Sequence, residues 1–171
     1  MTVRIELIHP KHESAVQAFA GDPGISATTT LPHPYPEDGA MKWIQKSLAG
    51  REKGHLFEYA VLDDQELVGV CGLLNISQGS GEVGYWTGRP HWGRGFASQS
   101  VFLLLEQAFG PLNLHRVYAH CLLTNRASSR VLEKTGFHLT EVKNLPDSKW
   151  PTEPVAVFEQ QREMWHTGQG R

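Results

Sequence analysis

The sequence predicts an α/β chain of the α+β type, folded as one domain. Three observations predict it. Seven segments have strand length and strand-like apolar patterning, and the second, third and fourth follow one another with only polar turns between them, as in an antiparallel meander. Helix-period segments separate most of the others. The 171 residues are 40% hydrophobic and 20% charged, enough chain for one real core and the composition of an ordinary globular protein. The domain is expected over residues 1–165, with residues 166–171 as a polar, flexible tail.

Residues 3–8 alternate apolar and polar side chains, as a half-buried strand does. A weak helix follows over about 12–20. Residues 21–36 hold four prolines and a threonine run, and predict loop and broken helix. Pro36-Glu37-Asp38 starts a helix to about Leu48, with Met41, Ile44 and Leu48 on one face. The meander strands are 56–62, 66–75 and 81–87. A helix over 97–109 is apolar nearly all round and should be deeply packed, and Gly110-Pro111 stops it. Then come a strand at 115–123, a helix at 125–135 with Gly136 as its left-handed cap, and a strand at 137–142. A loop with three prolines covers 144–154, and a last strand covers 155–164.

Sixteen basic and 18 acidic residues leave a net charge of −2, which gives no reason to expect nucleic acid or a membrane as partner. No basic segment followed by a long apolar one opens the chain, and the apolar run 101–105 is too short to span a bilayer. A cytoplasmic enzyme is the expectation. Cys71 and Cys121 sit in apolar strands and read as buried, reduced thiols. The nine histidines never form HxxxH and no CxxC occurs, so no metal site is expected.

The chemistry-bearing unit is a strand, a glycine loop and a helix: Gly84-Tyr85-Trp86-Thr87-Gly88, then Trp92-Gly93-Arg94-Gly95-Phe96-Ala97-Ser98. Glycine permits backbone conformations other residues resist and lets a ligand reach the main chain. The first amides of a helix have no internal partner, and the helix dipole adds partial positive charge there. Such N–H groups converge on a phosphate-sized space, with Arg94 and Ser98 as added donors. No Lys-Ser/Thr follows, so this is not a Walker loop, and Ser98 stands where a dinucleotide fingerprint has its third Gly. Taken alone, the segment reads equally as a tight strand–helix turn.

Five ordered segments carry a resemblance to a known family. They are Pro34-Tyr35-Pro36-Glu37-Asp38-Gly39-Ala40 with Trp43-Ile44; Glu82-Val83-Gly84-Tyr85-Trp86; the glycine loop; Leu114-His115-Arg116-Val117; and Asn125-x-Ala127-Ser128-x-x-Val131-Leu132-Glu133-Lys134-x-Gly136-Phe137. The chain resembles the GNAT superfamily of N-acetyltransferases, in its RimJ/RimL-like branch. The resemblance implies a GNAT-like fold: a central mixed, mostly antiparallel sheet of six to seven strands, flanked by helices and splayed between strands four and five. Two departures stand out. Pro90, preceded by Arg89, occupies the position three before the first loop glycine, where Gln or Arg is common, and Gln99 replaces a Glu often found after the loop.

The resemblance further implies acetyl-CoA as co-substrate and direct attack by an uncharged amine. The amine belongs to a protein or peptide N-terminus or to a small molecule, and a homodimer is compatible with the branch. Glu82 is the candidate base, acting through water, with an exposed strand carboxylate as the alternative. A backbone N–H near Tyr85 or Trp86 is the candidate oxyanion donor. Ser128 is the candidate acid toward the leaving thiolate, or else a capping residue. Asn125 touches the pantetheine arm, caps its helix, or does both. Thr87, Trp92 and Phe96 to Ser98 complete the coenzyme set, and Tyr35 and Trp43 fall where relatives wall the acceptor. Asp63, Asp64, Glu66, Arg130 and Lys134 read as solvated charges. The rival class is a non-catalytic acyl-CoA-binding module, which would keep the glycine loop without acid and base.

Overall fold

A computed structural model describes residues 2–168. Its described strands are β1 (Val3–Leu7), β2 (Phe57–Asp63), β3 (Glu66–Ser77), β4 (Ser80–Thr87), β5 (Arg116–Leu122), β6 (His138–Asn144) and β7 (Pro154–Gln161). Its helices are α1 (Glu13–Ala20), α2 (Pro23–Ser26), α3 (Gly39–Glu52), α4 (Phe96–Phe109), α5 (Arg126–Lys134) and α6 (Arg162–Gly168). The strands form one sheet in the order β1-β2-β3-β4-β5-β7-β6. Every neighbouring pair is antiparallel except β4 and β5.

The meander is set by its turns. Ser77 pairs with Ser80 across Gln78 and Gly79, both at positive φ (49° and 75°), which is the two-residue hairpin geometry whose twist matches that of the strands. Asp64 at φ 54° turns β2 into β3. Gly136 at φ 93° follows α5, and Phe137 N–H reaches Leu132 O, so the expected left-handed cap is present.

Alternation divides the sheet into two faces, because directly paired residues point the same way. Tyr59, Val61, Cys71, Leu73 and Val83 face α4 and α5 and share a core with Phe96, Val101, Leu105 and Leu132. Ala60, Leu62 and Val70 face the other way and pack with Val16 and Ala20 of α1 and Ala40 and Ile44 of α3. Both cysteines are buried and free.

The observed boundaries depart from the pattern in two places. The third helix starts at Gly39, because Pro36–Asp38 is used in a turn closed by Gly39 N–H to Pro36 O, and it runs on to Glu52. The last strand ends at Gln161 rather than 164, and Arg162–Gly168 is helical. Its charged side chains hide the reason, which is tertiary. Trp165 is buried against Phe102 at 4.8 Å and Phe109 at 6.1 Å between ring centroids, and a helix is what delivers it there. That helix takes in the start of the expected tail, whose residues 169–171 lie outside those described.

Candidate active site

The parallel pairing of β4 with β5 is short: Ser80, Gly81 and Glu82 oppose Arg116, Val117 and Tyr118. Beyond Glu82 the two strands part. Val83–Thr87 stays with β3, and residues 119–122 stay with β7. The expected splay between strands four and five is therefore present. A cleft of about 920 Å³ opens there, lined from both faces of the sheet.

On the α4/α5 face the cleft is floored by the glycine loop. Gly93 and Gly95 adopt φ of 73° and 84°, a region costly for other residues. A Cβ on Gly93 would meet nothing within 4 Å, and one on Gly95 would meet only Gln99 Nε2 at 3.8 Å. The space over the loop is open. Gly95 caps α4 without a side-chain acceptor, and the first helical bond is Gln99 N–H to Gly95 O. The amides of Phe96, Ala97 and Ser98 thus stand at the positive end of a 14-residue helix, facing a cleft that the same residues line. That is a fit for a pyrophosphate. Gly95→Val places a branched side chain there on a left-handed backbone. Coenzyme affinity is expected to fall about tenfold or more, roughly 1.4 kcal/mol, measured by titration on a variant shown by melting to be folded. Unchanged affinity would remove the loop from the site.

Tyr85 points to this same face. Its hydroxyl lies 2.7 Å from Ser128 Oγ and donates to Ser128 O at 3.3 Å. Burial pushes the Tyr85 hydroxyl well above the usual phenol range, with the Ser128 bond pulling the other way. Asn125 Oδ1 accepts from Ser128 N–H at 3.2 Å, so the N-cap reading holds while Asn125 also lines the cleft. Trp92 is 47% exposed, and its indole N–H donates to Thr87 O at 2.7 Å. That bond fixes the end of β4 against the loop.

On the opposite face stand Glu82, Gly84, Trp86 and His120. Glu82 Oε1 meets His120 Nδ1 at 2.8 Å, and Oε2 accepts from Asn75 Nδ2 at 2.8 Å. Burial alone would raise the Glu82 carboxyl, but the bonds to His120 and Asn75 outweigh it and hold the group below its ordinary value. Glu82 is therefore an ionised carboxylate at neutral pH, with both oxygens engaged. Trp43, Glu58, Ile25 and Leu31 close this half, with Leu145, Ser148 and Trp150 from the loop before β7. Lys149 joins the two loops: its ammonium donates to Ser26 O, to Thr29 O at 3.1 Å and to Leu31 O at 2.9 Å.

Of the expected site residues, the cleft gathers Trp43, Glu82, Tyr85, Trp86, Thr87, Trp92, Gly93, Gly95, Phe96, Ala97, Ser98, Asn125 and Ser128. It does not gather Arg94 or Tyr35. The Arg94 guanidinium lies over Phe96 at 4.9 Å and near His91 Nδ1 and Asp63. The Tyr35 ring packs on Gly39. Arg89 is likewise occupied elsewhere. It grips Asp22 with two bonds of 2.7 and 2.6 Å and holds that carboxyl down at about 2. His120, Asn75 and Glu58 are site residues the sequence reading missed. The signal available for His120 was its place two residues after Tyr118 on an alternating strand, which shares a face with Glu82 only once the parallel register is known.

A sequence profile described as the acetyltransferase (GNAT) domain matches residues 3–138. An uncharacterized N-acetyltransferase, p20, of Bacillus licheniformis is 40% identical over 83 residues, which is 47% of this chain and 47% of that protein. The chain thus matches about half the length of that relative. Among solved structures, a RimL ribosomal-protein alpha-N-acetyltransferase in complex with coenzyme A superposes with a TM-score of 0.86 at 18% identity, over 94% of each chain. A spermidine N-acetyltransferase of Vibrio cholerae, in complex with CoA and spermine, superposes with a TM-score of 0.84 at 19% identity, over 96% of this chain and 98% of that one. The extent of the profile match and the splayed, glycine-looped sheet agree: the chain belongs to the GNAT family of acetyltransferases.

Proposed function

We propose that the protein is an acetyl-CoA-dependent N-acetyltransferase that acts on a primary amine by direct attack in a ternary complex. The observation that carries this reading is the cleft between β4 and β5, which has an anion-binding helix terminus on one face and an ionised carboxylate–imidazole pair on the other. Bound acetyl-CoA supplies the activated acetyl thioester. The amides of Phe96–Ser98 hold its phosphates, and Asn125, Trp92 and Thr87 border its arm.

Proton removal is assigned to the Glu82–His120 pair. Glu82 accepts from Nδ1–H, which leaves Nε2 to take the proton of the incoming ammonium, directly or through water. The amine nitrogen then bonds to the acetyl carbon, the C–S bond breaks, the thiolate takes a proton, and the second proton that the nitrogen sheds on becoming an amide passes through solvent to restore the donor. The Tyr85–Ser128 hydroxyl pair is the donor on the coenzyme side, since both groups lie on the face opposite Glu82. The acceptor class spans the protein N-terminal amine named for the RimL relative and the small amine named for the Vibrio cholerae one. The reading carries with it a cytoplasmic setting, no nucleic acid or membrane partner, and room for a homodimer.

Release of free thiol from acetyl-CoA, with and without a panel of peptides and small amines, tests the reading. Amine-dependent thiol release with a matching acetylated product is expected. Coenzyme binding with no stimulation by any amine would make the chain a binding module instead.

A further inference from the structure

Glu58 sits 9% exposed on β2, in the half of the cleft lined by Ile25, Trp43, Val70 and Trp86. Its Oε2 is, among the described residues, a buried side-chain oxygen with no hydrogen-bond partner. The Ser47 hydroxyl and the Trp43 indole N–H donate to the carboxyl. A buried carboxyl left half satisfied is costly unless a partner arrives. The sheet register says where a partner would come from. Glu58 pairs with Gly72, and Gly72 pairs with Gly84, at the edge of the β4–β5 gap. The row from Glu58 to the gap carries no side chain across two strands, a backbone distance of about 10 Å. Gly72 is required for this: a Cβ there would stand 2.8 Å from Glu58 Cγ.

We infer that Glu58 receives a second cationic group of the acceptor, so that the enzyme selects amines bearing two positive charges over amines bearing one. This rests on the acetyltransferase reading for the reacting amine, which meets His120 at the gap while the second cation crosses the glycine floor to Glu58. Burial, opposed by the Ser47 and Trp43 bonds and the Lys46 charge, pushes the Glu58 carboxyl up to about 7. The other titratable neighbours, Tyr35 and Cys71, are themselves pushed up by burial, each with a smaller push from Glu58. Near neutral pH a substrate cation therefore displaces a proton from Glu58 on binding.

The test uses matched probes on the full chain with coenzyme A bound: 1,4-diaminobutane against butylamine, and peptides with Lys against norleucine at the second position. Calorimetry should show the dicationic member of each pair binding about tenfold tighter or more, with a heat that changes with the buffer's ionisation enthalpy as proton release requires. In Glu58→Gln the ratio should fall toward one, while Glu58→Asp, which keeps the charge, should retain a preference. Coenzyme binding in the same samples reports folding. Equal or absent binding of both members in the wild type, or an undiminished ratio in Glu58→Gln, would overturn the inference. Thiol release with the same probes separates the two claims. Discrimination in binding with no amine acetylated would remove the acetyltransferase reading and leave the cation site. Acetylation without discrimination would do the reverse.

Discussion

Glu82→Gln is expected to lower turnover about a hundredfold at neutral pH, at the lower end of what general-base catalysis contributes, while coenzyme affinity stays within about twofold. The amide keeps the shape of the side chain and can still accept from His120 Nδ1–H. What it removes is the negative charge that favours the imidazolium formed when Nε2 takes the acceptor's proton. The amide NH2 then faces Asn75, whose own amide has to turn over and present its oxygen for the variant to keep its place on β4. The separation of kcat from coenzyme binding is the informative readout. A purely structural role would move both, because Val83 and Tyr85 on the same strand line the coenzyme half of the cleft. Glu82→Asp, with the charge kept and the reach shortened, should recover part of the loss. Wild-type turnover in Glu82→Gln would leave proton removal to water or another group.

The second large effect is on stability. Burial pushes the Glu58 carboxyl up to about 7 in the folded protein, against the ordinary carboxyl value of 4.5 in the unfolded chain. Between those values the folded state holds a proton that the unfolded state has released. By linkage, stability then falls as pH rises through this window and levels off above about 7, a loss of about 3 kcal/mol at most. Glu58→Gln has no proton to lose and keeps a donor and an acceptor for Ser47 and Trp43. It should flatten this part of the stability–pH curve and raise the melting temperature at pH 8 by roughly 5–10 °C. Melting curves at half-unit pH steps measure it. A variant that melts with the wild-type pH dependence would show that Glu58 is not the titrating group. Glu6 and Asp22, each held down at about 2 by neighbouring cations, act at the acid end and with the opposite sign, so the two windows do not overlap.

What could be read in the sequence was local. Alternation found the strands, glycine and proline marked their ends, and the Gly136 conformation follows from residue type. The glycine loop was legible for the same reason, since positive φ at Gly93 and Gly95 is a local property. Whatever depended on register was hidden. Glu82 and His120 are 38 positions apart and meet only because β4 and β5 run parallel for three residues. Glu58 looks like any polar residue in a half-buried strand until Gly72 and Gly84 are seen beside it. Arg94 misled for a related reason: loop position alone does not tell which way a long side chain turns, and here a ring and a carboxylate draw it away from the cleft. Residues 162–164 looked like strand and 166–168 like tail, because the gain from burying Trp165 lies on α4, outside any local window.

The short β4–β5 pairing also governs the order of events in a catalytic cycle. Because the strands part beyond Glu82, the two substrates would approach one aperture from opposite sides of the sheet, and neither lies in the other's route. Such an aperture imposes no sequence of arrival. On the proposed reading either partner would be free to load first, and the acetylated product would depart between residues 24–31 and the loop at 145–150 while the spent coenzyme still occupied the α4 side. A saturating level of one substrate would then leave the exchange of the other open, which is the behaviour of a random-order enzyme.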